Sequence, residues 1–267
     1  MANLIDEQQL GSLGVRRIAI DTDPEELVLP TETEKRLGWI ARWLSQPPFI
    51  FRDWGLSRYV DGGLRALFRG DSGTGKTMAA VALAKSAGLE LYRIDLGRVV
   101  SQYIGETEKN LDRAFKAAEE AGAILMFDEA DALMAKRTQV SDAHDRYANL
   151  EVAYLLQRLE SFSGLAILAS NRRDGFDQAI LGRIDVLVDF PRPDAAARAA
   201  IWGRLLGAVK LDKAEKIDLA QIARHELSGA EILRAVRMAS LLAASEEMPL
   251  DMAHLETAAQ ERVEMRR

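Results

Sequence analysis

The run Gly70-Asp71-Ser72-Gly73-Thr74-Gly75-Lys76-Thr77 constrains this chain more than any other stretch. It satisfies G-x-x-x-x-G-K-[ST], a spacing whose chemistry needs a strand before it and a helix behind it. Both neighbours are present. Leu64–Phe68 is an apolar run of strand length, and Lys76–Ala87 reads as a helix closed by Gly88. The glycines let backbone N–H groups turn inward around phosphate oxygens. The helix N-terminus adds its partial positive charge. Lys76 is then placed to bridge the β- and γ-phosphates of a nucleotide, and the Thr77 hydroxyl to hold Mg²⁺. The expected phosphate-contacting set is Gly73, Thr74, Gly75, Lys76, Thr77 and Met78, with ATP and Mg²⁺ as ligands.

The rest of the chain supplies a frame for that loop. Apolar runs at Leu64–Phe68, Leu89–Ile94, Ala123–Phe127, Leu165–Ala169 and Val186–Phe190 alternate with helical patterns at Lys76–Ala87, Glu108–Ala121 and Arg146–Glu160. In the second of these helices Leu111, Ala114, Phe115 and Ala118 share one face. Five strands alternating with helices predict an α/β fold with a five-stranded parallel sheet covered on both faces. Ahead of it, Val15–Ile20 could form a short strand, and Thr33 is a plausible N-cap for a helix over Glu34–Ser45. After Phe190 the strands stop. Pro191-Arg192-Pro193 marks a hinge, and Asp194 can cap a helix at Ala195–Leu206. Further helical patterns follow at Leu219–Arg224, Gly229–Ala244 and Leu250–Val263. The expected organisation is an N-terminal segment over 1–32, a nucleotide-binding α/β domain over 33–192 and a small all-helical lid over 193–267.

Ile124-Leu125-Met126-Phe127-Asp128-Glu129 is an apolar strand ending in two acids. A buried parallel strand delivers its last residues to the carboxyl edge of the sheet, where ligands bind. Asp128 would bind Mg²⁺ through water, and Glu129 would orient and deprotonate the attacking water. Composition excludes several other chemistries. The chain has no cysteine, so disulfides and thiolate metal sites are out, and its three histidines, His144, His225 and His254, lie too far apart in sequence to suggest a zinc cluster. A net charge of −6 is not the basic footprint of a dedicated nucleic-acid binder. No apolar run approaches the ~20 residues of a membrane helix, and the N-terminus has no basic start before an apolar stretch. The expectation is a cytoplasmic protein.

Beyond these two motifs the chain resembles the AAA+ ATPases, in particular the AAA branch proper, over roughly residues 35–260. Gln102-Tyr103-Ile104-Gly105-Glu106 is similar to that branch's pore-loop segment, which implies that Tyr103, Ile104 and Gly105 face a central channel. Ser170-Asn171-Arg172, followed by Asp177 to Asp185, is similar to its second region of homology. There Asn171 matches sensor 1, with an amide for the γ-phosphate or the water, and Arg183 matches an arginine finger serving the neighbouring subunit. Ser228-Gly229-Ala230-Glu231 resembles the sensor-2 region of a lid without a sensor-2 arginine. The longer run from Asp128 through Lys136-Arg137 to Asn149 resembles the AAA ATPases associated with phage-tail-like contractile injection systems. Arg224, Arg234 and Arg237 read as solvated faces.

The chain departs from that pattern in three places. Asp71-Ser72 stands where the phosphate loop usually has Pro-Pro, with no loss of phosphate contacts. Leu181 runs straight into Gly182-Arg183, where many relatives carry a further arginine. The region before the core is short, which leads to the expectation that any substrate-recognition domain is missing or supplied by another protein. The resemblance implies an ATP-hydrolysing motor, a homo-oligomeric ring of hexameric size, acting on a protein partner. The alternatives are a nucleotide-dependent assembly factor or scaffold without threading, and a nucleic-acid-linked loader. The acidic charge and the Tyr-Ile-Gly loop argue against the loader.

Overall fold

The computed structural model describes residues 14–21, 23–45, 53–55, 63–95, 106–131, 153–174, 176, 178–207 and 217–266. The pore-loop residues Tyr103, Ile104 and Gly105 lie outside that set, as does most of the 128–149 run. Two compact units emerge. The first takes the chain up to Pro24, then Thr31–Gly70 and Lys76–Asp189. The second takes Glu25–Pro30, Asp71–Gly75 and the chain from Phe190 on.

The first unit is built on a six-stranded sheet. Its strands are β1 (Val15–Arg17), β2 (Leu64–Arg69), β3 (Leu91–Asp95), β4 (Ile124–Asp128), β5 (Leu165–Ser170) and β6 (Val186–Asp189). Their order across the sheet is β1-β3-β4-β5-β2-β6. The five expected strands are all there and pair in parallel. The sixth, β1, falls within the short strand suggested at Val15–Ile20 and enlarges the expected five-stranded sheet: it pairs antiparallel with β3 at the edge, Val15 opposite Ile94 and Arg17 opposite Tyr92. Antiparallel edge strands on a parallel sheet are common. Every residue of β5 is buried, which is why it reads as an unbroken apolar run.

Helices α1 (Thr31–Ser45), α2 (Lys76–Ala87) and α3 (Glu106–Ala121) belong to this unit, with a helical run over 153–161 and the short α4 (Gln178–Leu181). In α2 the buried residues are mostly alanine, so its backbone can lie close against the sheet. The core beneath α3 holds three phenylalanines. The Phe115 ring centroid lies 5.6 Å from that of Phe127 and 5.4 Å from that of Phe162, edge-on to the latter. Such contacts add to the burial of the rings themselves. Thr33 is not the cap expected of it. Helix α1 begins two residues earlier, directly after Pro30, and the buried Thr33 hydroxyl instead donates to the Asp189 carbonyl at 2.8 Å.

The second unit is helical. It comprises α5 (Ala195–Gly207), α6 (Leu219–Ile222), α7 (Gly229–Ser245) and α8 (Met252–Glu264) around a fully buried Trp202. Each helix start is capped by a short polar side chain. Asp194 Oδ1 accepts from Ala197 N at 2.8 Å, as its position predicts. Asp218 caps α6, Ser228 forms a capping box with Glu231, and Asp251 forms one with His254.

His254 gives this unit a pH dependence. Its ring is buried and lies between two carboxylates, Glu246 at 3.1 Å and Asp251 at 2.5 Å. Burial disfavours the charged ring, but Glu246 and Asp251 outweigh it and hold the His254 pKa above its ordinary value. The N–H of His254 and then its charge hold Asp251 below the usual carboxylate range. The histidine contribution is complete below its unfolded pKa of about 6.5 and is lost as pH rises through the raised folded value. The aspartate contribution runs the other way, present above about 3.9 and lost as pH falls. Thermal melts should therefore show higher stability at pH 6 than at pH 8.5. In His254→Gln that difference should shrink. An equal difference in the variant would assign the pH dependence elsewhere.

Candidate functional site

In the first unit Lys76, Asp128, Glu129 and Asn171 lie at the carboxyl edge of the sheet. Strand β2 ends at Arg69, β4 at Asp128 and β5 at Ser170, so Gly70, Glu129 and Asn171 are the residues that follow. Lys76, the first residue of α2, is buried. Its Nζ donates to the Gly70 carbonyl at 2.6 Å and to Asn171 Oδ1 at 2.9 Å. A buried ammonium needs such oxygen partners, and here both are neutral. Asn171 comes to Lys76 across 95 residues, and nothing in local sequence fixes that meeting.

The two acids differ in setting. Asp128 Oδ1 accepts from Glu129 N at 3.0 Å, and Asp128 Oδ2 pairs with an Arg93 nitrogen at 2.7 Å. Arg93 comes from the neighbouring strand β3 and was not anticipated, since strand register decides the pairing. Glu129 is exposed and has φ 55°, a left-handed conformation that costs a residue with a side chain of order 1–3 kcal/mol. The next residue pins it: Ala130 N donates to the Ala169 carbonyl at 2.9 Å. Arg69 anchors the same edge, pairing with Asp189 at 2.5 Å and donating to the Arg173 carbonyl at 3.0 Å. The hydrogen bond to Asp189 is the main cause that keeps Arg69 above its ordinary pKa.

Thr77 follows Lys76 on α2 and is partly buried, while Met78 is 39% exposed. Arg183 lies elsewhere. Its Nε pairs with Glu160 Oε1 at 2.6 Å, away from the strand ends just described.

The loop 71–75 belongs to the second unit and rests there on the start of α7. Ala230 N donates to the Gly73 carbonyl at 3.2 Å. A Cβ on Gly73 would lie 2.8 Å from the Ala230 Cβ, closer than real atoms come, and Gly73 also has φ 78°. Gly75 has φ 104°, and a Cβ there would meet only ordinary contacts with Leu27 and Leu29 at 3.7 and 3.9 Å, so its requirement is conformational. Thr74 Oγ1 donates to the Asp71 carbonyl at 2.8 Å, which closes the loop on itself.

Residues 66–192 match the model of the ATPase family associated with various cellular activities, AAA. Over that stretch the chain is similar to the AAA ATPases. The chain is 33% identical over 193 residues to the ATPase family gene 2 protein homolog A of Homo sapiens, an alignment covering 70% of this chain and 22% of that protein. It is 32% identical over 201 residues to a 26S proteasome regulatory subunit 4 homolog of Oryza sativa subsp. japonica, covering 70% and 44%. It is 33% identical over 198 residues to a proteasome-activating nucleotidase of Aeropyrum pernix, covering 71% and 47%. The chain thus spans between about a fifth and a half of these relatives' length.

The Thr77 hydroxyl and the Asp128 carboxylate are oxygen donors of the kind Mg²⁺ takes. Hard oxygens few in number suit this ion, which keeps waters and substrate phosphates in its shell. Among the described residues no cluster of three or more histidine, aspartate or glutamate side chains competes for a metal. No helix among the described residues is long and apolar enough to cross a membrane.

Proposed function

We propose that the chain is the ATP-driven part of a homo-oligomeric ring, hexameric as in the family it resembles, which remodels or disassembles a protein partner. The observation that carries the chemistry is the buried Lys76 ammonium, held by the Gly70 carbonyl and the Asn171 amide where three strands end. Phosphate oxygens replace those neutral acceptors when ATP binds, and the charge-assisted contacts are the stronger ones. Thr77 and Asp128 would hold Mg²⁺, which supplies charge neutralisation on the phosphates. Glu129 takes the proton of the attacking water, and the Asn171 amide orients that water or the γ-phosphate. Arg183 acts on the site of a second copy. Residues 33–192 are the nucleotide-binding part in this reading and 193–267 the lid.

The remodelling half of the proposal takes its support from the relatives, two of which are named for the proteasome. The narrower likeness to ATPases of contractile injection systems rests on the 128–149 run, and none of the three relatives carries such a name. Tyr103, Ile104 and Gly105 would grip the partner chain.

The test is size-exclusion chromatography with light scattering, with and without ATP, and ATPase activity measured on each fraction for wild type and Tyr103→Ala. The motor reading expects activity to follow the assembled ring. It expects Tyr103→Ala to keep its assembly and basal activity while losing stimulation by a protein partner. A monomer with full activity, or a variant that loses assembly instead, would favour a scaffold in which Tyr103 packs.

A further inference from the structure

Arg192, between two prolines, serves neither of the motifs discussed so far, yet it is the centre of a charged network in the second unit. Its Nη1 lies 3.6 Å from Asp71 Oδ2, in the phosphate loop. Its Nη2 lies 2.9 Å from Glu231 Oε2 and 3.4 Å from the Glu226 carbonyl. Glu231 is the capping-box acid of α7: the same Oε2 accepts from Ser228 N at 2.6 Å. Ser228 and Ala230 are the residues that contact Gly73. One guanidinium therefore joins the loop's acid to the helix turn on which the loop rests.

We propose that Arg192 is a positioning residue for the phosphate loop, which cancels the charge of Asp71 and fixes the loop against the first turn of α7 so that it can receive a polyphosphate. The proposal rests on the ATPase reading above. Its physical core is the sign of Asp71. This residue stands where relatives usually have proline, and its carboxylate is an anion at the site of an anionic ligand. Two carboxylates, Asp71 and Glu231, flank a loop meant for phosphates, and Arg192 pairs with both. An arginine between two prolines also suits the task. Pro191 and Pro193 fix φ on either side and leave few conformations in which the arginine can stray. A partly exposed ion pair of this length contributes little to stability. Its effect should therefore appear in binding, and it should scale with ligand charge.

The experiment measures binding of ATPγS and of adenosine by titration calorimetry to wild type, Arg192→Ala, Asp71→Asn and the double variant, at low and at physiological salt. The Arg192→Ala variant should bind ATPγS about tenfold more weakly, from exposure of one like charge near the phosphates. Its adenosine affinity should stay within about twofold of wild type, because adenosine carries no phosphate. Asp71→Asn alone should bind ATPγS as well as wild type or better. The double variant should return to within about threefold of wild type, and the loss in Arg192→Ala should shrink as salt rises. Unchanged ATPγS binding in Arg192→Ala would overturn the proposal while leaving the ATPase reading intact. A loss that Asp71→Asn does not relieve would also overturn it, and would assign Arg192 to the packing of α7. Wild-type protein that binds no ATPγS would remove the ATPase reading itself. Circular dichroism melts of all four proteins report folding, and Arg192→Lys, which keeps the charge, should hold affinity near wild type if the alanine variant is unstable.

Discussion

Glu129→Gln should bind Mg·ATP with near wild-type affinity and hydrolyse it about 10²–10⁴ times more slowly, the range for loss of a positioned general base. The amide keeps the shape of the side chain but cannot take a proton from water. The prediction has a second arm in the backbone. Glu129 adopts φ 55°, where a side chain is strained and glycine is not. Glu129→Gly should therefore melt at or above the wild-type temperature while also losing hydrolysis. The loss of activity cannot then be put down to a damaged fold. Single-turnover hydrolysis and nucleotide titration on both variants decide it. Turnover near wild type in Glu129→Gln would take the base assignment from this residue. A marked fall in melting temperature in Glu129→Gly would show that the side chain, and not the backbone, holds the turn.

That strained turn also marks where sequence stops being informative. The strand ending in Asp128-Glu129 is legible because a parallel strand buried on both faces must be apolar throughout, and Ile124 to Phe127 are. The conformation of Glu129 is not legible. It follows from the Ala130–Ala169 hydrogen bond, which exists only once β4 and β5 are paired. The Arg93–Asp128 pair is hidden for the same reason, since Arg93 meets Met126 across the ladder and reaches past it to the acid. Strand β1 was only half visible. It is three residues long, and two of them are exposed arginines whose place is set by pairing with β3 and by the Arg17–Glu90 ion pair at 2.6 Å.

The helical unit was legible for a different reason. Its starts are marked by Asp194, Asp218, Ser228 and Asp251, side chains that satisfy otherwise unpaired backbone N–H groups through local bonds. Local bonds can be read locally. What no local pattern gives is the company the phosphate loop keeps. Residues 71–75 and 25–30 join the chain from Phe190 on in one unit, where Leu27 and Leu29 lie beside Gly75 and the Leu27 carbonyl accepts from Arg204 at 2.7 Å. The lone acid at Asp71 was the available signal that this loop had a cationic partner.

Arg183→Ala should lower hydrolysis by about 10³–10⁵ if the residue is a finger acting between subunits, with nucleotide affinity largely intact. The topology gives this prediction its edge. Strand β6 runs parallel to β2, and Asp185 N donates to the Arg65 carbonyl, so Arg183 precedes the starting ends of these strands. Gly70 and Lys76 lie past the finishing end of β2. At about 3.3 Å per residue, a strand of this length separates the two by roughly 15–20 Å. Within its own chain Arg183 is instead paired with Glu160. A large effect on hydrolysis therefore requires the site of another copy. Mixing Arg183→Ala with Glu129→Gln protein makes the requirement measurable. Where a subunit with intact Glu129 meets a neighbour with intact Arg183, a whole site is rebuilt, and activity should return in proportion to such interfaces. Neither variant regains activity alone. If subunit exchange is verified and the mixture stays inactive, Arg183 does not act across an interface. If Arg183→Ala loses thermal stability along with activity, its pairing with Glu160 is its function.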